Sequence, residues 1–67
     1  MKELSSRLKA SRILKKLTQE QLSEKSEVSL NTIRNIEQSK QESPHVKTII
    51  KLADVLDVSL DYLTGRK

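Results

Sequence analysis

The sequence predicts an all-α domain, and two features favour this class over a β-sheet. Glycine and proline occur once each, as Gly65 and Pro44, and Tyr62 is the only aromatic residue, whereas short strands need frequent turn residues. Apolar residues also recur at helical spacing between Val46 and Leu56. We therefore expect one compact domain over residues 1–67, with five helices at about 2–15, 18–25, 29–38, 44–56 and 59–64.

The first helix is distinguished by its charge. Its apolar positions Leu4, Leu8 and Ile13 are expected to face inward. Residues 1–16 hold six basic residues and one acidic residue, a balance of +5, whereas the whole chain carries only +4. This balance suggests attraction to phosphate or another polyanion, and an ordinary solvated helix face is the alternative.

The second helix has two signals at its start. Thr18 and Gln21 have the residue types and spacing of a capping box, in which each side chain satisfies the other's backbone N–H. Leu17 and Leu22 lie one residue before the cap and four after it, which is the spacing of a hydrophobic staple.

The third helix begins in the same way, with Ser29 as cap and Val28 and Ile33 as the staple pair. Two capped helices of about two turns, separated by three or four residues, predict a helix-turn-helix. In that motif the second helix enters the major groove of DNA.

The last two helices also begin at identifiable caps. For the fourth we expect Ser43 as cap and Pro44 as first helical residue, where its missing N–H costs nothing. The fifth should start at Ser59, with Val58 and Leu63 as staple, and end at Gly65. The apolar face of the fourth helix is predicted to comprise Val46, Ile49, Ile50, Ala53 and Leu56.

The third helix is polar on one side. Leu30, Asn31, Arg34 and Asn35 share that side, opposite Ile33 and Ile36. Asparagine pairs with adenine, arginine with guanine, and an exposed Leu30 could contact a thymine methyl group. We expect these four to read bases, although Arg34 could instead reach phosphate. The alternative is a plain polar surface.

Residues 6–65 resemble the phage-repressor (Cro/C1, XRE) helix-turn-helix family. The most typical segments are residues 17–22, 28–29, 33–37 and 52–63. The resemblance implies a lambda-repressor-like five-helix domain that binds double-stranded operator DNA, usually as a dimer. It also implies a structural pair between Arg12 and Glu37. The side chains expected at backbone phosphates are Thr18, Gln19, Thr32, Gln38 and Lys40.

The chain departs from this family at three helix ends, where glycine is common. Lys16, Glu27 and Ser39 occupy those positions. If their backbones stay left-handed, each costs roughly 1 kcal/mol; otherwise the turn between the second and third helices is remodelled. The loop before Pro44 is also one residue longer than usual.

The predicted function is sequence-specific DNA binding by a transcriptional regulator, most simply a repressor of a pseudo-palindromic operator. The alternative is a protein-interaction module or antitoxin on the same fold. We expect no catalysis and no cofactor, because there is no cysteine and no glycine-rich phosphate loop. The single histidine, His45, makes a metal site unexpected.

The expected compartment is the cytoplasm. No apolar run approaches the roughly 18 residues of a membrane span, and no signal-peptide pattern opens the chain. We expect a monomer or weak homodimer in solution that forms or strengthens on DNA. Its candidate contacts are Leu60, Tyr62 and Leu63.

Overall fold

The computed structural model describes residues 2–40 and 44–65, and for Lys2 the backbone alone. These residues form five helices and no strand, so the predicted all-α class and the order of its elements are confirmed. The helices are α1 (Lys2–Leu14), α2 (Gln19–Ser26), α3 (Leu30–Glu37), α4 (Val46–Leu56) and α5 (Leu60–Thr64).

All five helices contribute to one hydrophobic core. α1 packs against α3 and α5, α2 packs against α3 and α4, and α4 also packs against α5. Burying one leucine or isoleucine stabilises the fold by about 1.5–3 kcal/mol. The buried apolar residues are Leu4, Leu8, Leu22, Val28, Ile33, Ile36, Ile49, Leu52, Ala53, Leu56 and Leu63.

Three helix starts have the caps that the sequence predicts. The Thr18 hydroxyl accepts the Gln21 N–H at 3.0 Å, and the Gln21 side-chain oxygen accepts the Thr18 N–H at 2.8 Å. Ser29 accepts the N–H of Thr32 at 3.2 Å, and Ser59 caps α5 in the same way. These bonds satisfy backbone donors that have no partner inside the helix.

The predicted start of α4 is wrong. The helix begins at Val46, and its cap is His45, whose Nδ1 accepts the N–H of Lys47 at 3.1 Å. Pro44 therefore precedes the cap, and its ring is buried instead of opening the helix. The imidazole supplies the acceptor expected from Ser43, which lies outside the described residues, as does the lengthened loop at 41–43.

The predicted inward face of α1 is wrong at Ile13, which is 56% exposed. The stripe that begins with Leu4 and Leu8 is completed by Ser11, at helical spacing of four and three residues. Arg12 is turned toward α3. Because successive residues of a helix are rotated by about 100°, Ile13 is carried outward.

The predicted face of α4 is also partly wrong. Val46 and Ile50 are largely exposed, whereas Leu52, which the apolar pattern missed, is fully buried. The inward stripe follows Ile49, Leu52 and Leu56, at spacings of three and four residues. Ile50 is rotated away from this stripe because it directly follows Ile49.

The three helix ends that lack glycine keep a left-handed backbone. The φ angles are +58° at Lys16, +60° at Glu27 and +59° at Ser39, and Asp57 adds a fourth such residue at +57°. The turn between α2 and α3 is therefore not remodelled. The Glu27 N–H still donates to the Ser23 carbonyl at 2.9 Å, so the strain accompanies normal helix termination.

Replacing Glu27 with glycine should stabilise the protein by about 0.5–1 kcal/mol, because glycine removes the left-handed penalty but loses more entropy on folding. Glu24→Gly is the matched control, since it makes the same change of composition and charge at an exposed position inside α2. That control should destabilise by about 1 kcal/mol. Urea unfolding followed by circular dichroism measures the free energy of unfolding of both variants. If both variants shift this free energy in the same direction, the prediction is contradicted.

Candidate nucleic-acid interface

A buried ion pair joins α1 to the end of α3. The Nε of Arg12 donates to Oε2 of Glu37 at 2.7 Å, and Nη2 donates to Oε1 at 3.1 Å. The third nitrogen, Nη1, donates to the carbonyl of Leu17 at 2.8 Å. The side chains are only 13% and 3% exposed. The planar guanidinium therefore binds a carboxylate and the α1–α2 turn at once.

The same carboxylate also holds the start of α2. The side-chain nitrogen of Gln19 donates to Oε1 of Glu37 at 3.1 Å. On α1, the hydroxyl of Ser5 donates to the Glu37 backbone carbonyl at 2.6 Å. An acidic residue at a helix C-terminus is disfavoured by the helix dipole, so these donors are what keep Glu37 buried there.

The hydrogen bond to Glu37 raises the pKa of Arg12 above its ordinary value, while burial acts in the opposite direction. A pKa that is raised in the folded state stabilises the protein at every pH below the pKa of the unfolded chain, which for arginine is already strongly alkaline. The arginine therefore stays charged throughout the physiological range. Its contribution to stability would be lost only in strong alkali.

The outward side of α3 presents polar side chains to solvent. Asn31 and Arg34 are exposed, Asn35 is half-buried, and Ile33 and Ile36 are buried in the core. The side chains of the three polar residues form no hydrogen bond to another described residue. Their donors and acceptors are thus available to a ligand.

Leu30 is less exposed than its sequence position predicts. Its side chain is half-buried. Leu30 opens α3 and lies three residues before the buried Ile33, so the two side chains are only about 60° apart around the helix. Leu30 therefore lies at the border between the core and the outward face.

A polar cleft of about 430 Å³ lies beside α3, between α1, the start of α2 and the end of α3. Three residues expected at phosphates line it together: Thr18, Gln19 and Gln38.

Two other residues expected at phosphates, Thr32 and Lys40, do not line the cleft. Thr32 lies in the first turn of α3, where its hydroxyl is 3.4 Å from that of Ser29, and Lys40 follows the end of the helix. Lys9 also lines the cleft, and it was not among the expected contacts.

Comparison with protein-family models matches residues 8–63 to a helix-turn-helix family. The chain belongs to the Cro/C1-type (XRE) helix-turn-helix family. It is therefore a DNA-binding helix-turn-helix regulator, from a family of regulatory domains that are not typically enzymes. No significant match was found among curated proteins or among solved structures.

The residues expected at a dimer contact of this helix-turn-helix protein do not form one surface. Leu63 is fully buried in the monomer core, because it is the partner of Val58 in the α5 staple, so it is unavailable to a second chain. Leu60 packs partly against the same core. Tyr62 is 42% exposed, and the guanidinium of Arg7 lies 4.9 Å from the centre of its ring.

No metal or membrane element is found in the described part of this regulator. His45 caps α4, and no group of three or more His, Cys, Asp or Glu residues within 2–40 and 44–65 could hold a metal ion. Over the same residues, no helix is both long and apolar enough to cross a bilayer.

Replacing Arg12 with methionine should destabilise this helix-turn-helix domain by about 3 kcal/mol, because the Glu37 carboxylate is left buried without its cation. The double variant Arg12→Met, Glu37→Met should lose less than the sum of the two single changes. The coupling energy between Arg12 and Glu37 is measured by urea unfolding of the parent, the two single variants and the double variant, all in the Glu27→Gly background. If the losses in the free energy of unfolding from the two single variants simply add up in the double variant, the ion pair contributes no interaction energy.

Proposed function

We propose that this protein is a transcriptional repressor that reads a pseudo-palindromic operator through α3 in the major groove. The supporting observation is the division of α3 into two sides. Ile33 and Ile36 are buried, so only the side with Asn31, Arg34 and Asn35 can face DNA. An α-helix presented in this way fits the width of the major groove.

Each outward side chain has a chemistry that suits base edges. The amides of Asn31 and Asn35 can each donate to and accept from adenine, and Arg34 can donate twice to guanine. The exposed part of Leu30 can contact a thymine methyl group. A good bidentate contact discriminates against a wrong base by about 1–3 kcal/mol.

The phosphate contacts would position α3 without reading sequence. One N–H of the Gln19 amide is used by Glu37, which leaves the second for a phosphate oxygen. The Thr18 hydroxyl accepts from Gln21 and retains its own proton to donate. Gln38 and Lys40 are exposed at the end of α3, whereas Thr32 would have to turn from Ser29.

The ion pair between Arg12 and Glu37 supports this proposal by holding α3 in place before DNA arrives. Through Gln19 it also joins the base-reading helix to a phosphate-contacting residue. A preformed arrangement lowers the entropy lost on binding. We therefore assign Arg12 and Glu37 a positioning role and no contact with DNA.

Repression would follow from occlusion of a promoter by the bound protein. Two copies on one face of the duplex would read half-sites about 34 Å apart, which is one helical turn. We propose that residues 1–67 act as one DNA-binding domain in the cytoplasm, without a cofactor. A weak homodimer, formed or strengthened on DNA, would use Tyr62 and Leu60 and not the buried Leu63.

The second candidate is a protein-interaction module or antitoxin. It is favoured by one surface, a groove of about 190 Å³ between the end of α1 and the α4–α5 turn. Leu14, which is 80% exposed, and Tyr62 line this groove. The polar outward side of α3 favours DNA, because a protein-binding helix would be expected to present apolar side chains there.

Selection from a random DNA library should enrich an inverted repeat when the wild-type protein is used. The double variant Asn31→Ala, Asn35→Ala should enrich it weakly or not at all, because the base contacts are lost while the phosphate contacts remain. Glu24→Ala, an exposed change on α2, serves as control and should keep the motif. No enrichment by folded wild-type protein at low salt would shift the assignment to the protein-interaction module.

Analytical ultracentrifugation at micromolar concentration should show a monomer or a weakly associating dimer. The reason is that Leu63 is committed to the core, which leaves little apolar surface at α5 for a second chain. Adding the selected duplex should produce a complex with two protein chains. A tight dimer without DNA would contradict this expectation.

A further inference from the structure

The cleft beside α3 contains one charged residue that belongs neither to the proposed contacts nor to the Arg12–Glu37 ion pair. Its lining comes from α1, from the start of α2 and from the end of α3, and its volume is about 430 Å³. The lining residues are Lys9, Arg12, Thr18, Gln19, Glu37 and Gln38. Of these, only Lys9 has no role in the fold or among the proposed DNA contacts.

Lys9 supplies the net charge of this cleft. Arg12 and Glu37 compensate each other at 2.7 Å and are largely buried. Lys9 is exposed, and it forms no ion pair or hydrogen bond with another described residue. The remaining lining residues are uncharged. A ligand that enters the cleft therefore meets one uncompensated positive charge.

The position of Lys9 directs this charge toward the proposed DNA contacts. Lys9 lies three residues before Arg12 on α1, so both side chains are on the same side of that helix. Gln19 and Gln38, whose amide groups can donate to phosphate oxygens, lie across the same cleft. A flexible ammonium group surrounded by amide donors suits an anion such as phosphate.

We infer that Lys9 binds a backbone phosphate of DNA in this cleft, so that the interface extends beyond the helix-turn-helix onto α1. This inference rests on the proposed orientation of α3. One exposed lysine is too weak to hold a free phosphate ion against salt. It can instead add one contact to a polyanion that is already held by α3, and it carries no base specificity.

The test compares Lys9→Gln with Lys51→Gln. Both variants lose one positive charge from an exposed helical residue, but Lys51 lies on α4 and does not line the cleft. Affinity for the selected operator and for a random duplex is measured by fluorescence anisotropy from 50 to about 200 mM salt, the range over which phosphate contacts are resolved. Circular dichroism melting checks that both variants fold like the wild type.

Lys9→Gln should reduce the slope of log affinity against log salt by about 0.9, the value for one phosphate contact. At about 0.15 M salt this corresponds to a loss of about fivefold, equal for operator and random DNA. Lys51→Gln should keep the wild-type slope, and Lys9→Arg should restore most of the affinity.

If Lys9→Gln and Lys51→Gln lost equal affinity for DNA, the inference would be overturned, because the loss would reflect the overall charge of the protein alone. Saturable binding of inorganic phosphate to the cleft at sub-millimolar concentration, followed by NMR shifts of the Gln19 and Gln38 amides, would assign the cleft to a free anion instead. If the wild-type protein binds no duplex at low salt, the proposed function fails as well. If it binds and only the slope prediction fails, the proposed function stands.

Discussion

The carboxylate of Glu37 is the point on which the arrangement of the first three helices depends. It lies at the end of α3, is almost completely buried, and accepts two hydrogen bonds from Arg12 and one from Gln19. A charge removed from water in this way is tolerated only with a full set of partners. Any rotation of α3 relative to α1 or α2 would break at least one of these bonds, so the network holds α3 in a single orientation.

This constraint leaves α3 free to carry function on its other side. Ile33 and Ile36 anchor the helix in the core, and the Glu37 network fixes its end. The core and the Glu37 network therefore supply stability, whereas the side chains of Asn31 and Arg34 form no hydrogen bond with another described residue. Because these side chains have no such bond to break, they lose only water and rotamer freedom when they bind, which keeps the cost of recognition low.

The backbone is strained at four helix ends. Lys16, Glu27, Ser39 and Asp57 all adopt the left-handed backbone that glycine accepts most easily. The packing of the helices overrides the local preference at each of these positions, since the surrounding core requires a sharp turn there. A domain of this size has a small free energy of unfolding, and backbone strain at four helix ends is a substantial fraction of it.

Features that depend on residues close together in the chain were predictable from the sequence alone. The caps at Thr18, Ser29 and Ser59 were predictable because each bond joins residues three positions apart, and the polar side of α3 followed from helical spacing. The Arg12–Glu37 pair was suggested only by family resemblance. The start of α4, the exposure of Ile13 and Ile50, and the place of Lys9 in the cleft could be read only from the packed helices. These depend on how each helix is rotated against the others, which is set by packing between residues far apart in the chain.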